Sequence, residues 1–135
     1  MGVCITSVPK SYTIERVYDA RMILERLSDK FSIEPPRLKW SHGRRRGIYL
    51  NHDDCILLGP RAWSGPTDTL LHCFAHAVTH KHQVEDSYHG LKFLDTLWHV
   101  VSTHYDGMPE RYSWYSDHNA VFEYGRNKLR SLRWD

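Results

Sequence analysis

No apolar run in this 135-residue chain approaches the roughly 18 residues that a bilayer-spanning helix needs. The first ten residues, MGVCITSVPK, lack the long apolar core and cleavage site of a signal peptide. The expectation is a cytoplasmic protein with no membrane partner. The start matches the myristoylation pattern MGxxx[ST] loosely, but so short a pattern carries little weight. Cysteine is scarce: Cys4, Cys55 and Cys73, an odd number with irregular spacing and no CxxC pair. That excludes a disulfide framework and a cysteine-based zinc ribbon, and leaves reduced, mostly buried thiols. Charge of one sign is also short, at a net +2, too little by itself to imply a nucleic-acid partner. Repeats, low-complexity tracts and linkers are missing.

What is present fits one compact α+β domain spanning residues 1–135. Residues 12–29 carry Ile14, Val17, Leu24 and Leu27 near helical spacing, and Pro35-Pro36 prevents any continuation. Three short strand candidates follow: Arg37–Ser41, Gly47–Asn51 and Cys55–Gly59. His42-Gly43 and Asp53-Asp54 supply turn chemistry between them, and the loop lengths suit a three-stranded antiparallel meander. Ser64-Gly65-Pro66-Thr67-Asp68 then announces a helix to about Lys81, with Pro near its first turn and an acid near its positive end. Leu70, Leu71, Phe74, Ala75, Ala77 and Val78 wrap much of that helix, as expected of one buried in the domain centre. After a loop over 82–88, a third helix is expected from His89-Gly90 to about His104. A last, basic helix is expected over 117–132, with a loop at 105–115 before it.

The unusual count is ten histidines, seven of them between residues 72 and 104. His72 and His76 stand at i and i+4, one turn apart on the same helix face, so both imidazoles can reach one ion. Two imidazoles in a buried helix also leave ring nitrogens that need partners, which a metal supplies. His89, thirteen residues past His76, can fold back as a third ligand. Zinc fits such a set, because three imidazoles and an open fourth position describe many zinc sites. His80 is the rival third ligand. Three ligands along one straight helix would span two turns, roughly 12 Å of rise, so His80 and His82 read as surface or supporting residues. His99 and His104 read as ordinary helix-surface or core histidines.

The stretch TLLHCFAHAVTHKHQVEDSYHGLKF resembles the SprT-like family of zinc metallopeptidases. That family carries an HExxH helix, a loop, then a histidine followed by glycine and shortly an aromatic. The matching positions are His72, His76, His89, Gly90 and Phe93, and the resemblance covers roughly residues 12–105. It implies a minimal zincin-like domain: N-terminal helix, three-stranded meander, metal-binding active-site helix and further C-terminal helices. It also implies Zn²⁺ at His72, His76 and His89, and a peptidase ancestry with a protein or peptide as substrate or partner.

One departure bears on activity. The second motif residue of the family is glutamate, and here it is Cys73. In HExxH hydrolases that carboxylate takes a proton from the zinc-bound water, help typically worth roughly 10²–10⁴-fold. Three accounts stay open: a pseudoenzyme that keeps the metal; a substitute base at Glu85 or Asp86; or direct participation of Cys73, whose plainer reading is a small buried hydrophobe. In an active zinc hydrolase, the strand Cys55–Gly59 would offer an edge to an extended substrate, and Tyr88, Tyr105 and Tyr112 are candidate oxyanion donors. In a non-catalytic module, the aromatic stretch 105–115, with Tyr112 and Trp114 as anchors, would bind a partner or pack over the core. A nucleic-acid binder would use Arg44, Arg45 and Arg46, with Arg126 to Arg133 in the tail. The arginine run otherwise reads as a solvated hairpin tip.

Overall fold

The computed structural model describes residues 14–62, 65–82 and 91–107. Its elements in chain order are α1 (Val17–Lys30), β1 (Arg37–Trp40), β2 (Ile48–Leu50), β3 (Cys55–Leu58), α2 (Pro66–Lys81) and α3 (Leu91–Tyr105). No helix among the described residues is long and apolar enough to cross a membrane. The expected basic helix over 117–132 lies outside the described residues.

Helix α1 opens with Asp19 folding back on its own first turn. One carboxylate oxygen accepts the Glu15 and Arg16 N–H groups at 3.1 and 3.0 Å. Those backbone bonds hold the Asp19 carboxyl below the ordinary aspartate range. Ala20, Ile23, Leu24 and Leu27 form its buried stripe, and the helix ends well before Pro35, where the chain turns through Ser32 at φ 55°.

The sheet departs from the expected antiparallel meander. Its order is β1-β3-β2, with β1 parallel and β2 antiparallel to β3. The reason lies in the strand sequences. Cys55-Ile56-Leu57-Leu58 is apolar at every position, with Cys55, Ile56 and Leu58 buried, and takes the centre. Arg37-Leu38-Lys39-Trp40 alternates exposed and half-buried residues and takes an edge, where charged side chains suit an unpaired strand. Residues 51–54 make the β2–β3 hairpin turn, closed by Asp54 at φ 49°. The His42-Gly43 segment is no hairpin. It carries the chain across the end of β3, where the Ser41 N–H donates to the Leu58 carbonyl at 3.0 Å. A Cβ on Gly59 would stand 2.0 Å from the Ser41 carbonyl oxygen, so only glycine fits beneath this crossing.

One sheet face, with Leu38, Trp40, Tyr49, Ile56 and Leu58, packs toward the helices and joins the core. Helix α2 lies between that face and α3. Leu70, Leu71, Phe74, Ala75 and Ala77 are fully buried, and Phe93, Leu97, Val100 and Val101 of α3 close the other side. The ends of α2 are tied down separately. The Ile14 N–H donates to Thr67 Oγ1 at 3.0 Å at its start. At its end Lys81 pairs with Asp54 at 2.7 Å and also donates to the Glu34 carbonyl. Tyr49 donates to the same Asp54 carboxylate at 2.9 Å.

The chain passes close against α2 at Gly47, just before β2. A Cβ there would stand 2.0 Å from Thr69 Cγ2 and 3.4 Å from Cys73 Sγ. Substituting Gly47→Ala therefore pushes β2 off α2, and we expect a loss of about 1–3 kcal/mol, the ordinary cost of overpacking. Chemical denaturation measures it; an unchanged midpoint would mean that β2 does not rest on the helix.

Candidate metal centre

Helix α2 begins at Gly65, whose φ of 86° suits glycine, with Pro66 at the first helical position where a missing N–H costs nothing. From there the helix runs without a break, so residues 72 and 76 project from one face. The structure brings those two together. His72 Nε2 and His76 Nε2 are 3.2 Å apart, with ring centroids at 4.9 Å and planes inclined at 70°. His72 is buried and His76 half-buried.

That separation tests the fit of a metal. With Zn–N bonds of about 2.0–2.1 Å, two ligand atoms of one tetrahedral zinc stand about 3.3–3.4 Å apart. The two Nε2 atoms sit close to that spacing, and imidazole nitrogen is a donor that zinc takes. The same distance suits one Nε2–H donating to the other ring. Among the described residues no third His, Cys, Asp or Glu joins them. His89, the third ligand implied by the resemblance, lies outside the described residues. So do Glu85, Asp86, Tyr88, Tyr112, Trp114 and the tail arginines.

Both rings lean on Phe93. The His76 imidazole stacks on its phenyl ring at 4.2 Å and 21°, and the His72 ring meets it edge-on at 5.2 Å and 64°. The sequence marked Phe93 only as a position of the resemblance; its contact with both rings depends on how α3 docks. The other histidines are elsewhere. His80, His82 and His99 are exposed, and His82 Nε2 lies 3.1 Å from the Phe31 carbonyl oxygen. His104 is buried against Arg26, whose guanidinium donates to His104 Nδ1.

No family model, curated protein or solved structure matches this chain.

Cys73 is adjacent in sequence to His72 but turned about 100° around the helix. It is 1% exposed, and its sulfur abuts Gly47 at the start of β2. Burial pushes the thiol up to about 12 from an ordinary 9.0. At neutral pH it is a neutral, enclosed thiol, which neither accepts a proton from water nor acts as a nucleophile. Of the readings open for this residue, the small buried hydrophobe describes its surroundings.

Two further expectations are corrected by geometry. Tyr105 is not placed as an oxyanion donor: it is buried, and its hydroxyl donates to Asp68 Oδ1 at 2.9 Å. It pins the end of α3 to the first turn of α2. Burial first, and the Asp68 carboxylate second, push its phenol well above the usual tyrosine range. The strand Cys55–Gly59 offers no edge, because β3 is central; among the described residues the edge strands are β1 and β2.

The raised thiol gives a direct check. Cys73 stays protonated when folded up to about 12, whereas the unfolded chain releases that proton near 9.0. Stability linked to this group is therefore intact below pH 9.0 and falls as pH climbs through that window. At pH 8, with chelator present, iodoacetamide should leave Cys73 unmodified in the native protein and alkylate it after denaturation, read by peptide mass mapping. Rapid native modification would mean an open, ionised thiol.

Proposed function

We propose that this chain is a degenerate SprT-like metallopeptidase domain that binds one zinc ion through His72 and His76, with His89 as the third ligand. Its function is then metal-dependent binding of a protein or peptide partner rather than hydrolysis by the family's route. The observation that carries the reading is the 3.2 Å separation of the two Nε2 atoms on a helix otherwise enclosed by core. The order helix, three strands, metal helix, helix is consistent with it.

The catalytic half of the reading follows from the side chains. A zinc ion held there supplies Lewis acidity and lowers the pKa of a bound water. Using that water requires a base beside it, and Cys73 faces the sheet with its proton retained. Without a base there, and unless Glu85 or Asp86 substitutes, hydrolysis should be slower by roughly 10²–10⁴-fold than in a domain with glutamate there.

Metal analysis of untagged protein is the test. Near-stoichiometric zinc is expected, lost in His72→Ala and His76→Ala, with affinity falling in acid because a protonated imidazole cannot bind metal. Chelation should lower the thermal midpoint, since a ligand that binds only the folded state stabilises it. No metal in the unmodified chain would remove the reading. Brisk zinc-dependent peptidase activity would keep the metal and overturn the assignment as degenerate.

A second reading, nucleic-acid binding, is favoured by one observation. The crossing segment and the Gly59–Arg61 turn abut at the same end of the sheet, a Cβ on Gly59 lying 3.3 Å from the Arg44 carbonyl oxygen. Lys39, Arg45, Arg46 and Arg61 are exposed there, Arg44 is half-buried, and no acid occurs over residues 35–52 or 55–67. Guanidinium clusters of this kind bind phosphate. If they do so here, Arg45→Glu with Arg46→Glu should weaken binding to an oligonucleotide and flatten its salt dependence, with metal content unchanged. Equal binding by the double variant would dismiss this reading.

A further inference from the structure

We infer that Phe93 is a positioning residue that raises the affinity of the His72–His76 pair for a metal cation, beyond any part it plays in the core. The inference rests on the metal reading above and concerns what tunes that site. Three distances carry it: phenyl to His76 at 4.2 Å, phenyl to His72 at 5.2 Å, and imidazole to imidazole at 4.9 Å. Each ring touches the other two.

The stacking geometry leaves coordination free. A histidine nitrogen binds metal through a lone pair in the plane of its ring. Phe93 covers the flat face of the His76 imidazole, at 21° between planes, and therefore leaves the in-plane Nε2 direction open. The edge contact with His72, at 64°, limits rotation of that ring as well. Both side chains thus enter the bound geometry with less rotamer freedom to lose, which is the general route by which a supporting shell strengthens a site.

The second effect is electronic. An imidazole that donates to a divalent cation takes on positive character. The face of a phenyl ring is electron-rich and attracts a cation within about 6 Å of its centroid. The parallel stack on His76 is therefore worth more with metal bound than without. A contact stronger in one state shifts the equilibrium toward that state, whereas plain core packing acts on both alike.

The test compares the full chain with Phe93→Leu, with Phe93→Tyr, and with pentafluorophenylalanine placed at position 93. Zinc affinity is read by competition with a chromophoric chelator, and thermal stability is read separately in excess chelator. The leucine variant should bind zinc about threefold to thirtyfold more weakly, the span of cation–π attraction. Tyr should hold the parent affinity within about twofold. The fluorinated ring keeps the shape and reverses the charge of the face, so it should weaken zinc binding while leaving metal-free stability near the parent's; it also decides the matter if the leucine variant fails to fold. Parent-like zinc affinity in the fluorinated protein would overturn the inference while leaving the metal site standing, provided His72→Ala still abolishes binding. Absence of zinc binding in the parent overturns both.

Discussion

His72 and His76 hold their Nε2 atoms 3.2 Å apart on a helix whose other faces are covered by sheet and by α3, and the remaining structure keeps them there. Two imidazoles are a poor choice for the interior unless their nitrogens have partners. Each Nε2 faces the other, and the fold holds the pair in place from three sides. The apolar strand β3 and Gly47 let the sheet approach α2 closely, Phe93 closes over the rings, and Lys81, Thr67 and Tyr105 tie down the ends of the helices. A rigid helix with fixed ends sets the spacing of residues four apart, and that spacing matches two corners of a tetrahedral zinc.

The same rigidity accounts for Cys73. The helix rotation that aims His72 and His76 at one another turns residue 73 toward Gly47 of the sheet. A small, apolar side chain suits that spot, and burial keeps its thiol protonated. Metal binding and water activation are separable demands on such a helix. The first needs the i, i+4 pair; the second needs a charged carboxylate beside the water. Here residues 72 and 76 form the pair, and residue 73 is spent on packing.

Much of this was legible in the sequence, and the rest was not for identifiable reasons. The bounds of α2 followed from Pro66 at its start and an apolar surface that runs to Val78. The histidine pair followed from its spacing alone, because helical geometry is local. All three strands fell where expected, within a residue or two. Their pairing did not, because short loops suggest hairpins, whereas the alternation in β1 and the unbroken apolar run of β3 ask for edge and centre. The facing of Cys73, the contact of Phe93 with both imidazoles, and the bond from Tyr105 to Asp68 depend on how helices dock. No periodicity within one segment contains that information. His89 and Glu85 lie outside the described residues.

X-ray absorption at the zinc edge of the zinc-loaded protein tests the central claim most directly. The account predicts nitrogen or oxygen scatterers at about 2.0–2.1 Å with the outer-shell pattern of at least two imidazoles, and no sulfur at about 2.3 Å. A sulfur scatterer at that distance would place Cys73 on the metal and contradict its assignment to packing. A shell without imidazole scattering would contradict the shared histidine site itself.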